Sequence, residues 1–287
     1  MRQILILTVL TRYFTKHNNI DTGIKHCIIT DMDLETQPYI KFQVLTDCVS
    51  TAQLERMCVE MDQAQSTLTP DLGRTAHTLR SLYRYKINNL TKFTKAHHGW
   101  WRSTAHKWAR NIVNQYTPDN SIAMLAFVRQ EVPTGIHMDH SVNMGPGHTF
   151  ILPLRDIAPN DSTIVYDVDG RGTSASNQSN IEAIKLSTVD QPVIHDDRVS
   201  AADVAHCGEW ATKLPVLGRF YYRLGDAVCF AGHLLHCSNN WVGTDKPLPR
   251  HPESHELINK DNRTHRDYLI IHTATPGSQD FVQEYEA

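Results

Sequence analysis

At 287 residues, with 40% hydrophobic and 21% charged side chains, the chain has the composition of a globular protein long enough for a large core. A formal net charge of -3 and a pI near 6.6 supply no global attraction to nucleic acid or to an anionic membrane. No apolar run approaches the roughly 18 residues that a spanning helix needs. The six cysteines, at 27, 48, 58, 207, 229 and 237, form no CxxC pair and read as free thiols of a cytoplasmic, reducing compartment.

In chain order, Met1 to Ile20 has no acidic residue, carries Arg2, Arg12 and Lys16, and holds the apolar run Ile4 to Leu10. Thr11-Arg12-Tyr13 is a poor cleavage site, so the segment reads as an edge strand, with an organelle transit peptide as the alternative. Tyr39 to Leu45 is predicted as a strand. Ser50-Thr-Ala-Gln53 forms a capping box, and Leu54, Met57 and Met61 follow at helical spacing.

Leu72 to Pro118 contains no Asp or Glu but nine basic residues, and is predicted as two or more helices broken near Gly99. Such a stretch is first of all a solvated helical face. Its alternative is an electropositive wall that draws an anionic substrate. Its aromatic residues, among them Trp100, Trp101 and Trp108, read as apolar helix faces rather than as platforms for nucleobases.

Beyond Pro118 short strands take over: Met124 to Gln130, Thr149 to Leu154, Ser162 to Tyr166, a long Arg219 to Phe230 kinked at Gly225, Leu234 to Cys237, and Tyr268 to Thr273. Short strands separated by Gly, Pro and Asp turns predict a sandwich or barrel rather than alternating βαβ units. Gly170 to Gln178 reads as a flexible insertion. Trp241 to Thr264, with Pro247, Pro249 and Pro252, reads as a long loop suited to a lid.

Three segments carry chemistry. In Gly135-Ile-His-Met-Asp-His140 a strand would project His137 and Asp139 to one face, where an imidazole and a carboxylate can take adjacent corners of a metal's coordination sphere. His140 would face the other way. A distant histidine, His236, follows the apolar strand and turn that run from Gly225 to Leu235, and can supply a third ligand; His233, at the turn itself, is the weaker choice. Two histidines and a carboxylate with open positions suit non-haem Fe(II). Finally, Arg266 opens an apolar strand and shares a face with Tyr268, so that a guanidinium and a phenol can together hold a carboxylate.

In this order the three segments resemble the 2-oxoglutarate/Fe(II)-dependent dioxygenase superfamily over Ser121 to Thr273. Phe42-Gln-Val-Leu45 with the Ser50-capped helix, and His236-Cys-Ser238, look like phytanoyl-CoA dioxygenase-like members. The resemblance implies a mainly β fold with flanking helices: a double-stranded β-helix (jelly-roll or cupin-like) core behind an N-terminal helical segment. It implies one catalytic domain over 1–287, with support at 1–118, the core at 119–287, and insertions at about 170–215 and 241–264.

It further implies Fe(II) on His137, Asp139 and His236, 2-oxoglutarate on Arg266 and Tyr268, O2 as oxidant, and room for ascorbate as a reductant. The expected reaction oxidises a C–H bond of a small, carboxylate-bearing substrate by hydroxylation, desaturation or cyclisation, releasing succinate and CO2. The chain departs from the family in two ways. Arg266 follows His236 at a longer interval than usual, with Arg250, between two prolines, as second choice; and Arg266-Asp-Tyr268 replaces the frequent Arg-x-Ser. Three rival readings stand beside it: a cupin-type metalloenzyme that needs no 2-oxoglutarate, an oxygenase directed at protein or nucleic acid, and a β-sandwich binding module. There is no HExxH motif of a hydrolytic zinc enzyme. No membrane partner is expected, and the sequence does not set the oligomeric state.

Overall fold

The computed structural model of this chain describes residues 39–67, 103–130, 133–140, 147–155, 157, 160–172, 177–239 and 266–275. From Ile40 onwards these belong to one compact unit. Two antiparallel sheets face each other. The larger has five strands in the order β1-β6-β3-β8-β2 and the smaller three in the order β5-β4-β7. Here β1 is Phe42–Leu45, β2 Ser121–Gln130, β3 His148–Arg155, β4 Ser162–Asp169, β5 Val216–Tyr221, β6 Ala227–Ala231, β7 Leu234–Ser238 and β8 Arg266–Ala274. From β3 to β8 the chain passes back and forth between the sheets, the winding of a double-stranded β-helix.

The period of two along each strand sorts side chains into layers. On the outer face of the larger sheet, Leu125, Phe127, Phe150, Leu152, Leu269 and Ile271 pack against two helices, α1 (Thr51–Thr67) and α2 (Thr104–Tyr116). Between the sheets lie Val128, Ile151, Val165, Phe220, Val228, Phe230 and Tyr268. On the far side of the smaller sheet, Ile164, Tyr166, Leu235 and Cys237 are covered from the segment between β4 and β5. That segment holds α3 (Asn177–Ser187), α4 (Ala201–Cys207) and a short 3-10 turn, Glu209–Lys213.

Local chemistry explains the helix starts. The Ser50 backbone N–H donates to Gln53 Oε1 (3.0 Å) while Gln53 N–H donates to Ser50 Oγ (3.3 Å), so the capping box forms as its sequence suggests. At α2, Ser103 Oγ accepts from His106 N–H (3.1 Å), and the Glu60 carboxylate of α1 accepts from the N–H groups of Thr104 and Ala105 at 2.6 and 3.1 Å. A carboxylate at a helix N-terminus meets both the unpaired donors and the positive end of the dipole. Among the described residues no helix is long and apolar enough to cross a membrane.

Three sequence expectations change. Arg219 to Phe230 is not one kinked strand but β5 and β6, which lie in different sheets. The chain crosses over at Gly225, whose φ of 96° is a backbone state that glycine adopts without strain. The Gly225 carbonyl accepts from Cys48 N–H (2.9 Å), and Asp226 Oδ1 accepts from Asp47 N–H (2.9 Å). Gly170 to Gln178 is only partly a loop, because the chain is helical from Asn177; residues 173–176 lie outside the described residues. The His137 segment is not a regular strand but joins β7 through a single bridge. Most of the basic stretch, all of 241–265 and the N-terminal segment to 38 also lie outside the described residues.

Candidate metal centre

The single bridge carries the site. His137 N–H donates to the His236 carbonyl (2.9 Å) and His236 N–H donates back to His137 (2.8 Å), which brings the two ring centroids to 4.3 Å. Each ring is pinned from behind. Nδ1 of His137 lies 2.8 Å from the Gly135 carbonyl, and Nδ1 of His236 lies 3.0 Å from the Leu234 carbonyl. A carbonyl only accepts, so each proton sits on Nδ1 and each Nε2 presents a bare lone pair. The side chain of Asp139 comes between them, with Oδ1 3.7 Å from His137 Nε2 and Oδ2 3.3 Å from His236 Nε2.

One ligand atom from each of His137, Asp139 and His236 falls within 4.8 Å of the others. Two imidazole nitrogens and one carboxylate oxygen, on one side of a common point, fit a divalent first-row metal with positions left open. Burial pushes the Asp139 carboxyl up, but His236 and His272 facing it hold it well below the usual carboxylate range. Burial alone would lower His236, and Asp139 outweighs that and raises it. Phe230 packs on the His236 ring at 4.8 Å between centroids.

The other two histidines of this region stand outside the cluster. His140 is fully buried between Gly147 and Gly232; a Cβ added at Gly232 would come within 2.3 Å of its Nε2. That burial, followed by the neighbouring His272, lowers its pKa to about 3. His233, on the β6–β7 turn, points its Nε2 to Asp169 at 4.0 Å. A residue not singled out in the sequence joins instead: His272 of β8 places Nε2 3.4 Å from Asp139 Oδ2. Its position was legible in principle, since it lies six residues after Arg266 and therefore on the same strand face.

Arg266 lies at the opposite end of β8, buried between the sheets. Nε donates to Gln130 Oε1 (2.7 Å) and Nη1 to Asp161 Oδ1 (2.8 Å), with the rings of Tyr222 and Tyr268 at 5.0 and 5.4 Å. Gln130 Nε2 and Asp161 Oδ2 are buried without a hydrogen-bond partner. The guanidinium and the Gln130 amide are donors that fit a carboxylate. The Asp161 carboxylate fits one only when it carries a proton. Burial raises its pKa, and Arg266 offsets only part of that rise. Arg250, the second choice, lies outside the described residues.

Fold and donor set together define a class: a double-stranded β-helix with a two-histidine, one-carboxylate cluster between its sheets. No protein-family model and no curated protein sequence matches the chain. Among solved structures, similarity extends to the epimerase SnoN in complex with Fe3+, alpha ketoglutarate and nogalamycin RO (11% identity, 82% of this chain and 79% of that one, TM-score 0.41). It extends also to AviO1 from Streptomyces viridochromogenes Tue57 (14%, 84% and 92%, TM-score 0.45). HygX from Streptomyces hygroscopicus with nickel and 2-oxoglutarate bound is similar at 12% identity, over 83% of this chain and 84% of that one, with TM-score 0.42.

Proposed function

We propose that the chain is a non-haem Fe(II), 2-oxoglutarate-dependent oxygenase that oxidises a C–H bond of a small substrate. One observation carries the reading: His137, Asp139 and His236 converge, with both Nδ1 protons committed to backbone carbonyls and both Nε2 lone pairs directed inward. Bound to these three residues, ferrous iron would supply activation of O2 coupled to decarboxylation of 2-oxoglutarate to succinate and CO2. The chain's own part is to hold the reactants and keep water away. Arg266, flanked by Tyr268, would hold the far carboxylate of the co-substrate. Phe230, Ile151 and Val165 supply the apolar walls. The His137 side chain, 36% exposed against 5% for His236, marks the side from which a substrate arrives.

The acid-free stretch Leu72 to Pro118 favours a carboxylate-bearing substrate. Its described part gives no direct support. Lys107 and Arg110 are exposed on α2, whose buried face packs on the outer side of the larger sheet, away from the cluster. The reaction type, whether hydroxylation, desaturation or cyclisation, is set by that substrate.

The Arg266–Asp161 pair favours one second reading, an oxygenase of the same fold that needs no 2-oxoglutarate, because the guanidinium already has a counter-ion. Succinate separates the two. Protein loaded with Fe(II), with ascorbate as reductant, should convert 2-oxoglutarate to succinate in the presence of O2, and Asp139→Ala should not. Metal binding without succinate from any candidate substrate would transfer the assignment to the second reading.

A further inference from the structure

Asp139 is gripped from behind by a pair of side chains on neighbouring strands. Thr149 of β3 and His272 of β8 are cross-strand partners. Both end on the same oxygen: Thr149 Oγ1 donates to Asp139 Oδ2 at 2.8 Å, and His272 Nε2 stands 3.4 Å from it. The other oxygen, Oδ1, is left on the side of His137 Nε2, at 3.7 Å. His272 Nε2 is buried and makes no hydrogen bond in this structure, so a small rotation of ring or carboxylate would close its approach to Oδ2. Nor is His272 part of the tight set, which among the described residues comprises His137, Asp139 and His236.

We infer that His272 is a positioning residue, which acts with Thr149 to commit one oxygen of Asp139 to protein donors and leave the other for the metal. The inference rests on the metal centre proposed above. Unconstrained, a carboxylate can swing or chelate through both oxygens; two donors from neighbouring strands of one sheet, on the oxygen that also lies 3.3 Å from His236 Nε2, restrict that freedom. Groups that orient a ligand in this way typically change metal affinity by roughly 10–100-fold when they are removed. The Thr149 hydroxyl and the His272 ring act on one atom, so their effects should not be independent.

The test uses Co(II), whose visible absorption reports both affinity and coordination number, titrated into the full metal-free chain. His272→Leu should weaken binding by at least about tenfold, whereas His272→Gln, with an amide nitrogen near the place of Nε2, should stay within about threefold of wild type. Thr149→Val should weaken binding on its own, and its effect should shrink in the His272→Leu background. Thermal unfolding of the metal-free variants checks that each folds. If His272→Leu does not, His272→Gln and Thr149→Val still carry the comparison. Wild-type affinity in His272→Leu would overturn the inference. So would a His272→Gln variant as weak as His272→Leu with an altered Co(II) spectrum, since His272 would then be a ligand. No Co(II) binding by the wild-type chain would overturn the metal centre itself, whereas binding lost in His236→Ala but kept in His272→Leu would overturn the positioning role alone.

Discussion

The two ends of the inter-sheet space are built on opposite electrostatic plans. At one end the Asp139 carboxylate faces the Nε2 atoms of His137 and His236, whose Nδ1 atoms are tied to backbone carbonyls, with Thr149 and His272 behind it and no fixed cation among them. At the other end the Arg266 guanidinium is already matched by Asp161, which is itself fully buried. The first arrangement gains from an added cation. The second is close to neutral and supports the fold before any ligand arrives. Substitutions at the cluster should therefore cost activity with little loss of stability, and substitutions at the pair should cost stability first.

The largest effects are expected at the cluster. His137→Ala, Asp139→Ala and His236→Ala should each abolish succinate formation, while thermal unfolding midpoints stay close to wild type. His233→Ala, whose ring faces Asp169, should remain active. His140→Ala should act differently from both, losing stability through the cavity it opens between Gly147 and Gly232. Full activity in Asp139→Ala would remove the contrast between the two ends.

Next in size is the buried pair. Arg266→Ala leaves Asp161 alone in the interior and should cost about 3–5 kcal/mol in denaturant unfolding. Arg266→Met combined with Asp161→Leu should recover most of that stability, since apolar replacement of both partners is often neutral. It should still fail to bind 2-oxoglutarate. Recovery of both stability and succinate formation by the double variant would show that the pair is only structural.

A smaller effect sharpens the same comparison. Ionised Asp161 competes with the co-substrate's carboxylate for Arg266, so Asp161→Asn should lower the apparent KM for 2-oxoglutarate. The Asp161 pKa is raised by burial, with Arg266 and Tyr222 as the titratable groups beside it. A carboxyl with a raised folded pKa contributes stability at low pH and loses it as pH rises through that value. The wild-type KM should accordingly rise with pH across that titration, and in Asp161→Asn the rise should flatten. A KM profile unchanged by the substitution would place the co-substrate elsewhere.

A further effect lies outside both ends. Burial lowers the pKa of His148 from 6.5 to about 4, with Nε2 held 3.1 Å from the Ile40 carbonyl. Between those values the unfolded chain binds a proton that the folded chain does not. Stability from this residue is therefore present above pH 6.5 and is lost as pH falls towards 4, at no more than about 1.4 kcal/mol per pH unit. The difference between wild type and His148→Gln in unfolding free energy should narrow over that window. A constant difference would assign the acid sensitivity to other groups.

What the sequence made legible was local or periodic. The Ser50–Gln53 box and the Leu54, Met57, Met61 stripe announced α1, and short runs of β-forming residues between Gly, Pro and Asp turns announced most strands. His137, Asp139 and His236 were selected by spacing and residue type, and the fold brings them to one point. Long-range features were not legible. Nothing near Arg266 in the chain points to Asp161, 105 residues away. The strand face of His272 follows from its spacing to Arg266, but its approach to Asp139 follows only once β3 places Thr149 beside it. The expected single strand over 219–230 divides because β-forming residues run up to Tyr222 and resume at Ala227, and nothing local in the chain shows that the two runs pair in different sheets.

Anaerobic equilibrium dialysis against Fe(II) tests the central claim most directly. Wild-type protein should retain one Fe(II) per chain, and His236→Ala at the same free iron should retain essentially none, because one pinned Nε2 lone pair is gone. An undiminished single equivalent in His236→Ala would contradict the metal centre formed by His137, Asp139 and His236.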